Sequence, residues 1–490
     1  MEVRCITCCF KVPIFGTSAV RRSVGTCGIC VGMSFRNLSL AALLAAVCLV
    51  SQASGHRAVA PTPPMGWNSW DAYGLTIDEA AFRANVQVLA GIKDLGWQYA
   101  VIDEGWYMRD PFAESLEARK YVWDANGILI PAAERFPSSA NGAGFKPLAE
   151  WVHSQGLKFG IHLVRGIPKQ VVDANLPIAG SGYHAADAAD RDSPCPWDAG
   201  NWGVRDNEAG QAYYDSMIRL YAAWGVDFLK VDCISDHPYR PTEIRQLAEA
   251  IRKSGRPIVL SLSPGPTQLE HAEEVAKYAQ MWRITDDHWD LWTAEHKPGG
   301  SEFPFGVRQE FDRIAEWNPY SKPDAWPDAD MLPVGSLRPH PGWGEPRQSR
   351  YTQDEQRTEF TLWAISRSPL ILGANLTQLD DFTKSLITNK DVLEINQNAI
   401  ESGQGLMPLK NGKTDTFPQR YWYARTGSRH YIAVFNLEDK ATNSELPWQV
   451  FHLPNRPHAV FDIWNQKHVK RAATLHVELA PHGCALFRVE

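Results

Sequence analysis

The chain has 490 residues, of which 44% are apolar and 11% aromatic, and its formal net charge is −7. This length exceeds one ordinary domain and allows a large core with a second unit. The negative charge argues against nucleic acid as a partner. The 19 tryptophans provide flat faces on which sugar rings stack, although most tryptophans lie in cores.

The amino terminus has the pattern of an export signal. An apolar run, Leu38–Val50, follows Arg36 and precedes the small-residue pattern Ser51-Gln-Ala53. Because the run is shorter than the roughly 20 residues that cross a bilayer, we expect a signal peptide and no membrane partner. We therefore assign residues 1–53 to an N-terminal extension and a signal peptide that starts near Met33, and we expect a secreted or periplasmic protein.

From Pro64 onward, eight short apolar runs alternate with helical patterns. One of these helices is predicted over Thr76–Leu95, with a capping box formed by Thr76 and Glu79. Eight such repeats over residues 60–400 predict a (β/α)8 TIM barrel. The predicted strands are Met65–Trp70, Tyr99–Asp103, Phe159–Val164, Phe228–Asp232, Ile258–Ser263, Met281–Thr285, Asp330–Val334 and Pro369–Gly373.

The pattern changes after about Gln404. Alternating strands with turn signals predict a C-terminal antiparallel β-sandwich domain over residues 405–490, with a supporting role. Its predicted strands are Tyr421–Arg425, Tyr431–Asn436, Ala459–Ile463, Leu475–Leu479 and Ala485–Val489.

The segment Val226–Asp236 combines a buried strand with a terminal carboxylate. Asp232 ends the strand, and Lys230 lies two residues earlier, so both side chains point to the same side. Barrels place catalytic groups at this end of their strands. A structural ion pair is the alternative interpretation.

The polar residues at the predicted strand ends should share one pocket. Several carboxylates, two cations and an aromatic floor suit a neutral polyhydroxylated ligand, and no glycine-rich loop for phosphate is present. The residues are Trp67, Asp71, Asp103, Glu104, His162, Lys230, Asp232, Ser263, Arg283, Asp286 and Asp287.

Two carboxylates on opposite walls of such a pocket are the machinery of glycoside hydrolysis. Two alternatives stay open. The first is a metal-dependent hydrolase that uses His162, Asp103, Asp232 and His288, and the second is a sugar-binding protein without activity.

Six segments resemble the α-galactosidases of glycoside hydrolase family 27, in family order. The resemblance implies an exo-acting retaining hydrolase that releases terminal α-D-galactosyl residues, with Asp232 as nucleophile, Asp287 as acid/base, and no metal or cofactor. The segments are Pro64–Asp71, Val101–Trp106, Leu229–Asp232, Trp282–Asp287, Trp326–Met331 and Ser368–Gly373.

The same resemblance implies that Trp67 faces the sugar ring and that Asp103 and Glu104 hold its outer hydroxyls. Lys230 and Arg283 match the lysine beside the nucleophile and the arginine near the sugar's 2-position. His162 stands where the family commonly has tyrosine, and the alternatives are a core Trp67 and a buried structural histidine.

Three departures from the family pattern bear on specificity. Leu262-Ser263-Pro264 replaces Cys-Glu-Trp, so Ser263 leaves room near the 2-position. Glu104 replaces the commoner Asp and extends further toward the sugar's exocyclic carbon. Cys233 directly follows the nucleophile, and either a disulfide with Cys195 or two free thiols fit the pattern. Alternative sugars are therefore a β-L-arabinopyranoside, an α-N-acetylgalactosaminide or an α-glucan, and the sequence does not predict the oligomeric state.

Overall fold

The computed structural model describes residues 58–236, 238–295, 303–338, 345–408, 414–415 and 419–490. The predicted N-terminal extension and signal peptide lie outside these residues. Within the described ranges, no helix has both the length and the apolar character needed to cross a bilayer.

Eight parallel strands form the barrel. Each is short and almost completely buried, which explains why the strands are continuous apolar runs in the sequence. Hydrogen-bonded neighbours follow the order β7-β6-β5-β4-β3-β2-β1-β8. The strands are β1 (Met65–Asn68), β2 (Tyr99–Ile102), β3 (Lys158–Val164), β4 (Phe228–Asp232), β5 (Val259–Leu262), β6 (Met281–Arg283), β7 (Trp326–Asp328) and β8 (Leu370–Leu372).

The closure between β7 and β8 lies just beyond the end of β7. The Leu332 amide donates to the Ile371 carbonyl at 2.8 Å, and the Gly373 amide donates to the Leu332 carbonyl at 3.1 Å. The prediction of a seventh strand over Asp330–Val334 was wrong, because that segment contributes only this single bridge to β8. The true strand begins at Trp326, whose ring is buried and whose indole nitrogen donates to the Ala60 carbonyl at 2.9 Å.

Helices cover the outside of the barrel. The principal ones are α1 (Glu79–Ala90), α2 (Lys146–Ser154), α3 (Glu208–Trp224), α4 (Pro241–Ser254), α5 (Ala272–Tyr278), α6 (Val307–Trp317), α7 (Gln353–Ser366), α8 (Asp381–Ile387) and α9 (Lys390–Asn398).

Helix α1 is shorter than predicted. It is capped by Asp78, whose carboxylate accepts from the Ala81 amide at 2.8 Å, so the predicted capping box of Thr76 and Glu79 was wrong. Glu79 instead pairs with Arg83 one turn later, at 2.7 Å.

The C-terminal domain consists of antiparallel sheets. A six-stranded sheet has the order β9-β10-β11-β16-β13-β14, and β12 pairs with β15 in a second sheet. The five predicted strands are present, while β9, β12 and β14 were missed. The strands are β9 (Glu401–Gly405), β10 (Gln419–Thr426), β11 (Arg429–Asn436), β12 (Thr442–Pro447), β13 (Val460–Asp462), β14 (Lys467–Val469), β15 (Thr474–Leu479) and β16 (Cys484–Val489).

The larger sheet packs on barrel helices α6 and α7. Phe311 and Phe435 meet edge to face with their ring centroids 5.0 Å apart, and the Trp464 indole donates to the Thr361 hydroxyl at 3.0 Å. Buried residues of both parts belong to one continuous apolar cluster, so the sheet shares the barrel's core.

Candidate active site

A cavity of about 940 Å³ opens at the carboxyl ends of the barrel strands. Its wall is dominated by carboxylates, with aromatic side chains among them. The lining residues are Trp70, Asp71, Leu75, Asp103, Glu104, Arg119, Pro196, Trp197, Asp198, Ala199, Lys230, Asp232, Ser263, Pro264, Asp286, Asp287, His288, Trp289, Phe303, Asp330 and Met331.

Asp232 ends β4 and is held by three donors. The Cys233 amide donates to Oδ1 at 2.5 Å, while His162 Nε2 and the Ser263 hydroxyl lie 3.2 and 3.4 Å from Oδ2. Burial alone would raise the pKa of Asp232, but His162 and Lys230 outweigh it and bring the pKa below its usual value. The carboxylate is therefore ionised at neutral pH, and its side chain is 20% exposed to the cavity.

Asp103, at the end of β2, is the most strongly held carboxylate of the site. Lys230 Nζ donates to Oδ2 at 2.9 Å, and the Asn68 amide donates to the same oxygen at 2.7 Å. Burial raises the pKa of Asp103, but His162 and Lys230 lower it by more than burial raises it. The group therefore stays ionised far below neutral pH. Because Lys230 lies on the same strand as Asp232, its ion pair links Asp103 to β4.

Glu104, the next residue, behaves differently. Burial, together with the nearby charges of Asp198 and Asp232, raises the pKa of Glu104 to about 8. The side chain is therefore mostly protonated at neutral pH and offers a hydroxyl proton to a ligand in the cavity.

Asp287 follows β6 on another part of the wall, and its side chain is 31% exposed. Arg283 Nη2 donates to Oδ1 at 3.3 Å. Burial is the largest influence, and with Asp330, Asp232 and the nearby Asp286 it outweighs Arg283 and raises the pKa of Asp287 to about 7. This carboxyl carries a proton in a large fraction of molecules near neutral pH.

Three predicted sugar-contacting residues do not line the cavity. Trp67 is completely buried, its indole nitrogen donates to the Ala374 carbonyl at 2.7 Å, and its ring packs on Phe82. The prediction that Trp67 faces the sugar was wrong, because it is a core residue. His162 and Arg283 lie behind the wall and touch Asp232 and Asp287, so they act on the carboxylates rather than on the cavity itself.

Other lining residues were not predicted as site residues. Trp70, three residues after Trp67 in the same motif, begins a short helix beside the cavity. Asp330 holds the Arg283 guanidinium at 2.8 Å and accepts from the His288 amide at 2.9 Å. The Trp326–Met331 motif contained this signal for Asp330, whereas no sequence signal pointed to Asp198.

The loop after β3 reaches the cavity through a disulfide. Cys195 and Cys233 are bonded, with their Cα atoms 6.0 Å apart. Because Cys233 directly follows Asp232, the bond joins this loop to the end of β4. Pro196, Trp197 and Asp198 follow Cys195 and form part of the cavity wall.

Of the residues of the alternative metal site, His162 lies near Asp103 and Asp232, but His288 is engaged elsewhere. Both ring nitrogens of His288 face buried glutamates, with Nδ1 3.3 Å from Glu310 and Nε2 2.8 Å from Glu359. Across the described part of the chain, no group of three or more His, Cys, Asp or Glu side chains is arranged to hold a metal ion.

Comparison with known families agrees with this geometry. The family model described as Alpha galactosidase A matches residues 62–170 and 197–398, and the model of the Alpha galactosidase C-terminal beta sandwich domain matches residues 417–489. The chain belongs to the alpha-galactosidase A family. It is a glycosidase, and its substrates are carbohydrates. The unmatched residues 171–196 form most of the loop that the disulfide anchors.

Several relatives of this family match most of the chain. Alpha-galactosidase A of Cellvibrio japonicus (strain Ueda107) is 29% identical over 466 residues, which cover 91% of this chain and 97% of the relative. The crystal structure of a GH27 β-L-arabinopyranosidase from Geobacillus stearothermophilus is 40% identical, with a TM-score of 0.80 over 88% of this chain and 97% of the other. A variant of that enzyme was solved with arabinose. A proposed α-N-acetylgalactosaminidase of Bacillus halodurans C-125 is 36% identical, with a TM-score of 0.75 over 87% and 97% of the two chains.

Proposed function

We propose that this member of the alpha-galactosidase A family is an exo-acting retaining glycosidase with Asp232 as nucleophile and Asp287 as acid/base. The observation that carries the proposal is the opposite pKa shift of two carboxyls on one cavity. The pKa of Asp232 is lowered mainly by His162 against the effect of burial, whereas burial raises the pKa of Asp287 to about 7. Two acids with separated pKa values supply an ionised nucleophile and a protonated donor at the same pH.

The reaction follows in two steps. The Asp232 carboxylate attacks the anomeric carbon while Asp287 gives its proton to the leaving oxygen, which forms a glycosyl ester on Asp232. Asp287, now ionised, then takes a proton from water, and that water cleaves the ester. The Cys233 amide and the Ser263 hydroxyl keep the nucleophile's two oxygens in place throughout.

For the sugar, we propose a preference for β-L-arabinopyranosides over α-D-galactosides. β-L-Arabinopyranose has the ring stereochemistry of α-D-galactopyranose but lacks C6. Glu104 is one methylene longer than the usual Asp, so we expect it to reduce the space at the C6 end, and Asp198 of the disulfide-linked loop lines the same cavity. The 40% identity to a β-L-arabinopyranosidase supports this choice.

An α-D-galactoside is the second candidate, and the relative from Cellvibrio japonicus supports it. One methylene discriminates by only about 1–3 kcal/mol, so both sugars should be hydrolysed at different rates.

The chemical proposal is tested with two single variants. Asp232→Ala should abolish turnover without unfolding the protein. Asp287→Ala should spare aryl glycosides with good leaving groups more than alkyl glycosides, because proton donation then matters less. With Asp287→Ala, added azide should give a glycosyl azide of retained configuration. Proton NMR of the first product is decisive, since net inversion by the wild type would refute the double displacement.

The sugar preference is tested with Glu104→Asp. We expect kcat/KM for 4-nitrophenyl α-D-galactoside to rise relative to the β-L-arabinopyranoside, because shortening the side chain restores space at C6. An unchanged ratio of the two kcat/KM values would show that Glu104 does not limit the space for the exocyclic carbon.

A further inference from the structure

A second cavity of about 320 Å³ lies beside the catalytic one. The two share Trp289 and Phe303. Trp289 is largely buried, but Phe303 is 42% exposed, and Leu291 and Pro304 extend the apolar surface. A wall of this kind suits a second sugar ring, whose C–H faces pack on aromatic groups.

Among the described residues that line this second cavity, here called the side cavity, the one carboxylate is already neutralised. Asp290 is fully buried and accepts two hydrogen bonds from Arg347, Nε to Oδ2 at 2.9 Å and Nη2 to Oδ1 at 2.5 Å. This bidentate pair leaves neither Asp290 nor Arg347 with charge to spare.

Arg350 is in a different situation. Its backbone amide donates to Asp290 Oδ2 at 2.9 Å, which fixes the start of the side chain at the rim of the side cavity. The residue itself is exposed, and among the described residues no carboxylate lies within ion-pair distance of its guanidinium. The described lining of the side cavity therefore includes one positive charge that no described carboxylate pairs with.

The positive charge of Arg350 lies next to a catalytic cavity of the opposite charge. That cavity contains more carboxylates than cations, so its field repels an anion that approaches its mouth. A neutral leaving group needs no cation at this position. A leaving group that carries a carboxylate does, and a planar guanidinium matches the geometry of a carboxylate with two parallel hydrogen bonds.

We propose that the side cavity binds the leaving sugar of the substrate and that Arg350 recognises a carboxylate on it. The preferred natural substrates are then saccharides in which the terminal pentose or galactose is attached to a uronic acid. The inference rests on the proposed glycosidase function, because the side cavity adjoins the site where Asp287 would protonate the leaving oxygen.

The test compares two disaccharides that differ at one group. In one, β-L-arabinopyranose is linked to methyl glucuronide, and in the other it is linked in the same way to methyl glucoside. The variants are Arg350→Gln and, as a matched control, Arg219→Gln, which removes an exposed arginine from helix α3. The aryl β-L-arabinopyranoside, which lacks the second sugar, monitors the basal reaction.

We expect the wild type to favour the uronide and Arg350→Gln to lower the uronide-to-glucoside ratio of kcat/KM by roughly tenfold, the effect of losing a charge-assisted hydrogen bond. Arg219→Gln should retain the wild-type ratio, and aryl glycoside turnover should be equal in all three proteins. High salt should reduce the wild-type preference.

An equal ratio in wild type and Arg350→Gln, with aryl glycoside turnover intact, would overturn this inference and leave the proposed function standing. An equal loss on all three substrates in Arg350→Gln would also overturn it, because Arg350 would then support the fold. Failure of the wild type on every glycoside would instead overturn the proposed function.

Discussion

The alkaline limb of the plot of kcat/KM against pH should move in opposite directions in Arg283→Gln and Asp330→Asn, two variants of residues near Asp287. In the wild type we expect this limb near pH 7, because burial raises the pKa of Asp287 to about 7 and only the protonated form donates. Arg283 lies 3.3 Å from Asp287 and opposes the rise. A cation at this range lowers a carboxyl pKa by about 1–3 units, so Arg283→Gln should move the limb up by about that amount.

Asp330→Asn should have the opposite effect for two reasons. It removes a negative charge that raises the pKa of Asp287. It also releases Arg283, which Asp330 holds at 2.8 Å, so that the guanidinium interacts more strongly with the Asp287 carboxylate. Both changes stabilise the ionised form of Asp287, and the alkaline limb should move below pH 7 by about one unit or more.

The assay is kcat/KM against pH on an alkyl glycoside, whose poor leaving group makes proton donation limiting. Glu104→Gln is the control, because burial raises the pKa of Glu104 to about 8 and its ionisation lies close to the same limb. The control should keep the limb near pH 7. Limbs that move in the same direction in Arg283→Gln and Asp330→Asn, or that stay fixed in both, would refute the assignment of Asp287.

Three further predictions concern the surroundings of the cavity. Replacing Cys195 and Cys233 together with serine removes a link across 38 residues, so unfolding in urea should need about 2–4 kcal/mol less, and a reductant should lower the wild type alone to that level. Ser263 lines the cavity and leaves room near the 2-position, so the wild type should hydrolyse 4-nitrophenyl α-N-acetylgalactosaminide, and equal exclusion of this substrate by the wild type and Ser263→Gly would contradict this. His288→Gln leaves two buried glutamates without their cation and should cost about 3–5 kcal/mol of unfolding free energy. Burial lowers the pKa of His288, but Glu310 and Glu359 raise it to about 10, so its stabilisation is complete below the unfolded value of about 6.5 and disappears as the pH rises through 10. Equal urea midpoints of wild type and variant just below pH 6.5, where the glutamates are still ionised, would contradict it.

The barrel was predictable because buried parallel strands are apolar on both faces. Seven of the eight strands lie where such runs occur in the sequence. The exception, Trp326–Asp328, contains a proline and an aspartate and resembles a turn, although its tryptophan is completely buried. The segment after it is more apolar and therefore has the stronger strand pattern, but only Leu332 of that segment pairs with a neighbouring strand.

The positions of Asp232 and Asp287 on one cavity followed from the rule that strand ends converge. Which aromatic side chain reaches the cavity did not, because Trp67 and Trp70 lie in one motif and differ only in how the chain leaves β1. Asp198 was also beyond prediction. It is in a long loop whose path is set by the disulfide of Cys195, and the sequence left that bond undecided.

The proposed assignment of roles to Asp232 and Asp287 depends on how Lys230 and Arg283 are shared among the neighbouring carboxylates, which the sequence alone does not show. Lys230 lies against Asp103 at 2.9 Å, and Arg283 lies closer to Asp330 than to Asp287, at 2.8 against 3.3 Å. Arg283 therefore stabilises the ionised form of Asp287 only in part, while Asp232 has three hydrogen-bond donors of its own. Had Arg283 been free to pair with Asp287 alone, both carboxyls would be ionised at neutral pH and no proton donor would remain. Under the proposed mechanism, Asp330 is therefore needed for acid catalysis, because it holds Arg283 away from Asp287 and helps to keep the pKa of Asp287 raised.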